Sequence, residues 1–142
     1  MPITRLDHYS FRTLKLEETN AFYVDIIGLT IGYRPPFAFP GTWLYNGSHA
    51  IVHVVGIDPE NPAATTDYLG ERGDIHQLGS GLIDHLAFVA VDLPELYGRL
   101  KNSGLDWTER TVPDQGLHQV FLTDPNGVVI EMNYPASEAQ AA

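Results

Sequence analysis

The sequence predicts an α+β chain built from two tandem β-α-β-β-β modules, and three observations lead there. Leu6-Asp7-His8-Tyr9-Ser10-Phe11 and Ile83-Asp84-His85-Leu86-Ala87-Phe88 share the pattern apolar-Asp-His-x-small-Phe, with the histidines 77 positions apart (85 − 8). Each is followed by an amphipathic stretch closed by Gly-Leu, at Gly28-Leu29 and Gly104-Leu105, an offset of 76 (104 − 28). Each half then ends in a hairpin signal, Asn46-Gly47 or Asn126-Gly127; His53 stands nine residues after Leu44 (53 − 44), and Glu131 nine after Leu122 (131 − 122). Self-similarity at a steady offset marks a duplicated supersecondary unit.

In chain order, residues 3–13 read as the first strand. Glu17 to Ile27 reads as a helix, because Phe22/Ile26 and Tyr23/Ile27 form i, i+4 apolar pairs, and Gly28 offers a left-handed terminator. Thr30–Tyr33 resembles a strand, interrupted by Pro35-Pro36 and Pro40-Gly41. Trp43–Tyr45 and Ala50–Val55 are strands joined by Asn46-Gly47, a strong hairpin signal. Residues 57–81 have no clear period and read as a linker or a loop over a site.

The second half repeats this order. After a strand at 82–91, Asp92 caps a helix with Pro94 in its first turn and Glu95 at capping-box spacing. Leu93, Leu96 and Leu100 form its apolar stripe, and Gly104 follows. Strands at about 107–112, 118–123 and 128–133 complete the module, so module one covers about 3–56 and module two about 82–135. The tail Ala136–Ala142 is expected to fray.

A chain of 142 residues is one ordinary domain or two very small ones. A unit of about 60 residues alone buries only around 60 % of its unfolded surface, so the halves must share a core or dimerise. With 44 % hydrophobic and 18 % charged residues, the composition is that of a soluble globular protein. No apolar run approaches the roughly 20 residues of a membrane span, and the charged first twenty residues lack a signal-peptide core; a cytoplasmic location is expected. Without cysteine, a metal must use His, carboxylate or water. The net charge of −10 argues against nucleic acid and anionic membranes, which need a basic face.

A strand places residues i and i+2 on one face, so His8 sits with Ser10 and His85 with Ala87, while Phe11 and Phe88 point away. Metal-capable side chains thus fall at two equivalent positions in each copy: His8 and His53, His85 and Glu131. If the outer strands curve into a common trough, all four converge. A charged Glu131 amid Val129, Ile130 and Met132 needs compensation if buried, and metal ligation supplies it. Two histidines and a carboxylate suit Fe(II), Mn, Co, Ni or Zn; the plainer alternative for His8, His85 and Glu131 is two core histidines and one edge glutamate. His53 is a candidate fourth ligand, a base beside the metal or a packed imidazole facing the trough. His118 is a candidate general acid or base, with an exposed strand end as the plainer alternative. His49 and His76 are expected to face solvent. Phe37, Phe39, Trp43 and Tyr45 wall an apolar pocket or fill ordinary core.

From about Thr4 to Tyr134 the chain resembles the vicinal oxygen chelate superfamily, which contains glyoxalase I, methylmalonyl-CoA epimerase, extradiol dioxygenases and the fosfomycin and bleomycin resistance proteins. The resemblance rests on Leu-Asp-His at 6–8, Phe22-Tyr23 through Gly28-Leu29, Ile-Asp-His at 83–85, and Asp124-Pro125-Asn126-Gly127 leading to Ile130-Glu131. It implies paired β-α-β-β-β modules forming an open, curved mixed sheet around a metal site, usually in a homodimer. It implies His8, His85 and Glu131 as ligands of a divalent metal, with His53 where glyoxalase-like members place a fourth ligand, commonly Glu or Gln. That departure weighs against glyoxalase I activity itself and leaves Glu131 as the family-position proton shuttle.

The function this implies is metal-dependent isomerase or lyase chemistry on a small substrate that chelates through neighbouring oxygens, with Glu131, His53 or His118 moving the proton. Extradiol cleavage of a catechol is the runner-up. A non-catalytic drug-binding resistance protein is the alternative from another class, disfavoured because such members generally lack the metal-binding side chains.

Overall fold

The computed structural model describes all residues except 1, 3, 71–78, 82 and 142. The chain divides into two compact units, Met1–Gln77 and Leu78–Ala142. Each holds one open four-stranded mixed sheet with helices, an α+β arrangement.

In the first unit, β1 (Tyr9–Thr13) lies parallel to β4 (His49–Gly56), which pairs antiparallel with β3 (Gly41–Asn46), and β3 with β2 (Thr30–Gly32); the order is β1-β4-β3-β2. The expected helix is present but not uniform. α1 (Leu16–Ala21) runs on as a wider π-helical segment, Phe22–Ile27, and stops at left-handed Gly28 (φ 92°). Gly28 N and Leu29 N both donate to Tyr23 O, at 3.0 and 2.9 Å; the first is the i−5 bond that defines the wider winding. Tyr23 is fully buried, and its ring meets Phe11 at 5.9 Å. Phe11 is the register partner of Val54, so Val52 and Val54 face this helix, and Leu44 pairs with Val52 on the same side. Burying side chains of this kind stabilises by roughly 1.5–3 kcal/mol apiece.

The second unit repeats the plan. β5 (Leu86–Val89), β8 (Val129–Pro135), β7 (Leu117–Thr123) and β6 (Thr108–Val112) follow the order β5-β8-β7-β6. α3 (Leu93–Leu100) connects β5 to β6, and Leu93, Leu96 and Leu100 are buried as their spacing requires. Asp92 accepts a hydrogen bond from Glu95 N at 3.2 Å, the expected cap. In the β7–β8 turn, buried Asp124 accepts from Asn126 N (2.8 Å) and Val128 N (2.9 Å), satisfying donors that the turn would otherwise leave unpaired.

The register supports the duplication residue by residue: Ser10 pairs with His53 across β1 and β4, and Ala87 with Glu131 across β5 and β8. Three expectations change. Strands β1 and β5 begin at Tyr9 and Leu86, so His8 and His85 sit on the residue just before each. The expected loop 57–81 contains a helix, α2 (Ala63–Leu69), between Pro62 and Gly70 (φ 82°), residues suited to starting and stopping one. The expected frayed tail is instead α4 (Ala136–Ala141), which packs on α3, β7 and β8. Its Glu138 carboxylate accepts from Leu93 N at 2.7 Å, at the start of α3. Among the described residues, no helix is long and apolar enough to cross a membrane.

Candidate metal and ligand-binding site

In the second unit, His85 is held by carboxylates on both ring nitrogens. Asp84 Oδ2 lies 2.7 Å from Nδ1, and Glu131 Oε2 lies 2.8 Å from Nε2. Glu131 is only 8 % exposed. Its Oε1 accepts from Gln119 Nε2 at 2.6 Å; Gln119 also donates to Asn133 Oδ1 (2.9 Å) and accepts from Arg110 Nε (2.7 Å). These bonds compensate the buried carboxylate. The Asp84 hydrogen bond is the main cause that raises the His85 pKa above its ordinary value, with Glu131 adding to it against desolvation.

Gln119 is the site residue that sequence reading missed. The signal was there in strand parity: Gln119 and Phe121 alternate with the core residues Val120 and Leu122, and Phe121 is the register partner of Glu131.

His118 takes the other parity and the other face. Its Nδ1 meets Thr111 Oγ1 at 2.9 Å and its Nε2 meets Glu109 Oε1 at 2.8 Å, and Glu109 also accepts from Tyr97 of α3 and Trp107. Burial raises the Glu109 pKa, but these hydrogen bonds outweigh it and leave a net lowering; burial and Glu109 push the Tyr97 hydroxyl up to about 12. The structure thus places His118, the candidate general acid or base, buried on the helix side of the sheet.

In the first unit, the equivalent Asp-His pair recurs. His8 Nδ1 lies 2.6 Å from Asp7 Oδ2. His49, expected in solvent, is a partner of the same residue, with Nε2 3.1 Å from Asp7 Oδ1 and 2.8 Å from Asp7 O. The His8 hydrogen bond leads the causes that lower the Asp7 pKa. His76 lies outside the described residues.

His53 is packed between rings: His8 stacks on it at 3.7 Å and 14°, and Trp43, its cross-strand partner, at 3.9 Å and 9°. Its Nε2 donates to Ala50 O at 3.2 Å. Desolvation, then the neighbouring His8, lower its pKa. Imidazole lone pairs lie in the ring plane, so two nearly parallel rings 3.7 Å apart do not aim at one ion. In this orientation His53 is a wall rather than a second donor beside His8.

That wall lines a cavity of about 390 Å³ with Arg34, Phe37, Phe39, Trp43 and Tyr68. Phe37 and Phe39 stack at 5.1 Å and 9°, and Tyr68 of α2 tilts against both, at 4.8 and 5.4 Å. Of the expected aromatic cluster, Tyr45 faces elsewhere and donates to Tyr33 O at 2.6 Å.

A family profile described as the Glyoxalase/Bleomycin resistance protein/Dioxygenase superfamily matches residues 5–132. The chain belongs to this superfamily. Solved structures of superfamily-like fold agree. A lactoylglutathione lyase from Agrobacterium tumefaciens is 20 % identical over 94 % of this chain and 95 % of its own, with a TM-score of 0.62. An antibiotic-binding protein from Streptomyces sp. CB03234 is 20 % identical over 95 % and 98 %, with a TM-score of 0.60. A glyoxylase/bleomycin resistance protein/dioxygenase domain from Frankia sp. EAN1pec is 15 % identical over 94 % and 93 %, with a TM-score of 0.66. At these identities the likeness is one of fold. No curated protein sequence matches.

Members of this superfamily typically bind a divalent metal, and the donors of the second unit fit one. Two ligands at adjacent positions of an ion with bonds of about 2.0–2.2 Å lie roughly 3 Å apart; His85 Nε2 and Glu131 Oε2 lie 2.8 Å apart. A ligating histidine commonly donates its other N–H to a carboxylate, which fixes the tautomer; Asp84 stands at Nδ1 of His85 and Asp7 at Nδ1 of His8. Within neither unit do the described residues gather three such donors at one point.

Proposed function

We propose that this protein is a divalent-metal-dependent enzyme acting on a small molecule with neighbouring oxygens, by isomerase or lyase chemistry, with His8, His85 and Glu131 as metal ligands. The observation that carries the reading is the His85–Glu131 pair, a buried carboxylate and an Asp-oriented imidazole already at ligand spacing. A bound ion would supply Lewis acidity, drawing negative charge from the substrate oxygens as a proton leaves an adjacent carbon.

The chain's own residues supply the rest. Glu131 is the candidate to hold the moving proton, and Gln119 fixes one of its oxygens. Asp84 and Asp7 orient the imidazoles. His53, stacked and with its pKa lowered, is a neutral imidazole near pH 7, suited to accepting a proton or to lining the ligand space. A homodimer, usual for small members, completes the proposal.

Elemental analysis of protein purified without added metal tests the reading; about one divalent ion per chain is expected. Metal-free protein that still bound ligand tightly would favour sequestration. The aromatic cavity of the first unit is the observation that keeps that second reading in play. Oxygen uptake with catechols on Fe(II)-loaded protein separates ring cleavage from isomerase or lyase activity, and none is expected.

A further inference from the structure

We infer that the cavity of the first unit binds a planar aromatic carboxylate, its ring against the aromatic walls and its anion on Arg34. This names a ligand class for the proposed function; it depends on that reading for what becomes of the ligand, not for binding.

The walls set the shape. Phe37 and Phe39 are parallel, Trp43 is parallel to His53, and Tyr68 leans across the phenylalanines. Flat rings favour a flat partner through offset stacking and edge contacts. A volume of about 390 Å³ accommodates a one- or two-ring molecule and lies in the usual range for small-ligand sites. Tyr68 is 61 % exposed, a large apolar surface that a bound ring would cover.

Arg34 sets the charge. Its Nη2 donates to Phe39 O at 2.8 Å, and the guanidinium lies 5.0 Å from the Phe37 ring centroid and 5.1 Å from that of Phe39. Among the described residues no carboxylate pairs with it. A guanidinium carries five N–H donors in a fork that matches a carboxylate, and among the described residues one is used, on Phe39 O. A partly desolvated cation in a chain of net charge −10 makes this spot an exception to its surroundings. The same cation argues against the usual occupant of an aromatic box, an organic ammonium: the guanidinium beside Phe37 and Phe39 repels a second positive charge.

The test is calorimetric titration of the full-length protein, stripped with a chelator, using 2-naphthoate as probe. Naphthalene-2-methanol, 2-naphthylmethylamine and cyclohexanecarboxylate serve as neutral, cationic and non-aromatic controls. Naphthoate is expected to bind at least about tenfold tighter than each control, a preference of the size a charge-assisted pair supplies. R34M should erase the preference for the anion while retaining weak binding of the neutral ring, and R34K should keep part of it. F37L, which leaves Arg34 in place, should weaken all ring-bearing probes together. Equal binding of neutral and anionic probes, tighter binding of the amine, or unchanged affinity in R34M overturns the inference. So does naphthoate binding that needs added metal and is indifferent to R34M, since a metal would then be taking the carboxylate. Failure of the metal proposal alone leaves the stripped-protein result intact.

Discussion

Glu131 Oε2 faces His85 Nε2 at 2.8 Å, and the imidazole's other nitrogen is taken by Asp84 at 2.7 Å. A proton shared between His85 and Glu131 is what a cation would displace, so metal affinity should fall as pH drops. H85A and E131A should each abolish stoichiometric binding of a divalent ion. D84N, which loosens the ring without removing a ligand, should weaken binding about 10–100-fold. Chelator competition measures all three; unchanged affinity in D84N would show that Asp84 does not orient the ring.

The histidines should titrate in opposite directions from the ordinary value of 6.5. In chelator-treated protein, NMR should place His85 above it and His53 below. For His85 the raised folded pKa means its contribution is complete below 6.5 and fades as pH rises through the folded value. For His53 the lowered pKa means its packing contributes fully above 6.5 and is lost as pH falls through the folded value. D84N should bring His85 down, and W43L should bring His53 up toward 6.5. Two coincident titrations would refute this assignment.

Replacing Gln119 with Leu should destabilise the chelator-treated protein by about 1–3 kcal/mol, because a buried carboxylate loses its donor. Urea denaturation measures the loss, and a change within 0.5 kcal/mol, on the order expected of a neutral surface substitution, would contradict the role given to this side chain.

His118 should matter for stability and not for turnover. H118A strips a partner from both Glu109 and Thr111 and should cost about 1–3 kcal/mol, with metal affinity within a factor of about two of the parent. Loss of metal binding in a variant that remains folded would return His118 to the site.

Gly41 should not accept a side chain. A Cβ there would stand 2.4 Å from Val54 O and 2.9 Å from Arg34 Nη2, so G41A should lose about 1–3 kcal/mol and shift the guanidinium. Thermal unfolding is the measurement, and a neutral result would mean that β3 and β4 can part locally.

The duplication was legible because both copies kept the Asp-His pair, the Gly-Leu terminator and the hairpin, and strand pairing reproduces that alignment as Ser10 with His53 and Ala87 with Glu131. Other features lay outside local pattern. The π-helical segment over Phe22–Ile27 has the same apolar spacing as an α-helix, so local pattern does not separate the two. α4 is short and poor in apolar residues; its anchor, Glu138 on Leu93 N, joins residues 45 positions apart. Arg34, just before Pro35-Pro36, has no local signature, because its meaning comes from Phe37 and Phe39 folding back against it. His118 lies on the opposite face of β7 from Gln119, hydrogen-bonded to Thr111 and Glu109.

The face-to-face packing of Trp43 on His53 makes the protein its own optical indicator. Indole emission is dimmed by a charged imidazole at van der Waals distance and altered by anything that slides against the ring. With Trp107, the second of the two tryptophans, exchanged for phenylalanine, fluorescence alone would follow both the protonation of His53 and the filling of the adjoining space, without a dye or a coupled assay.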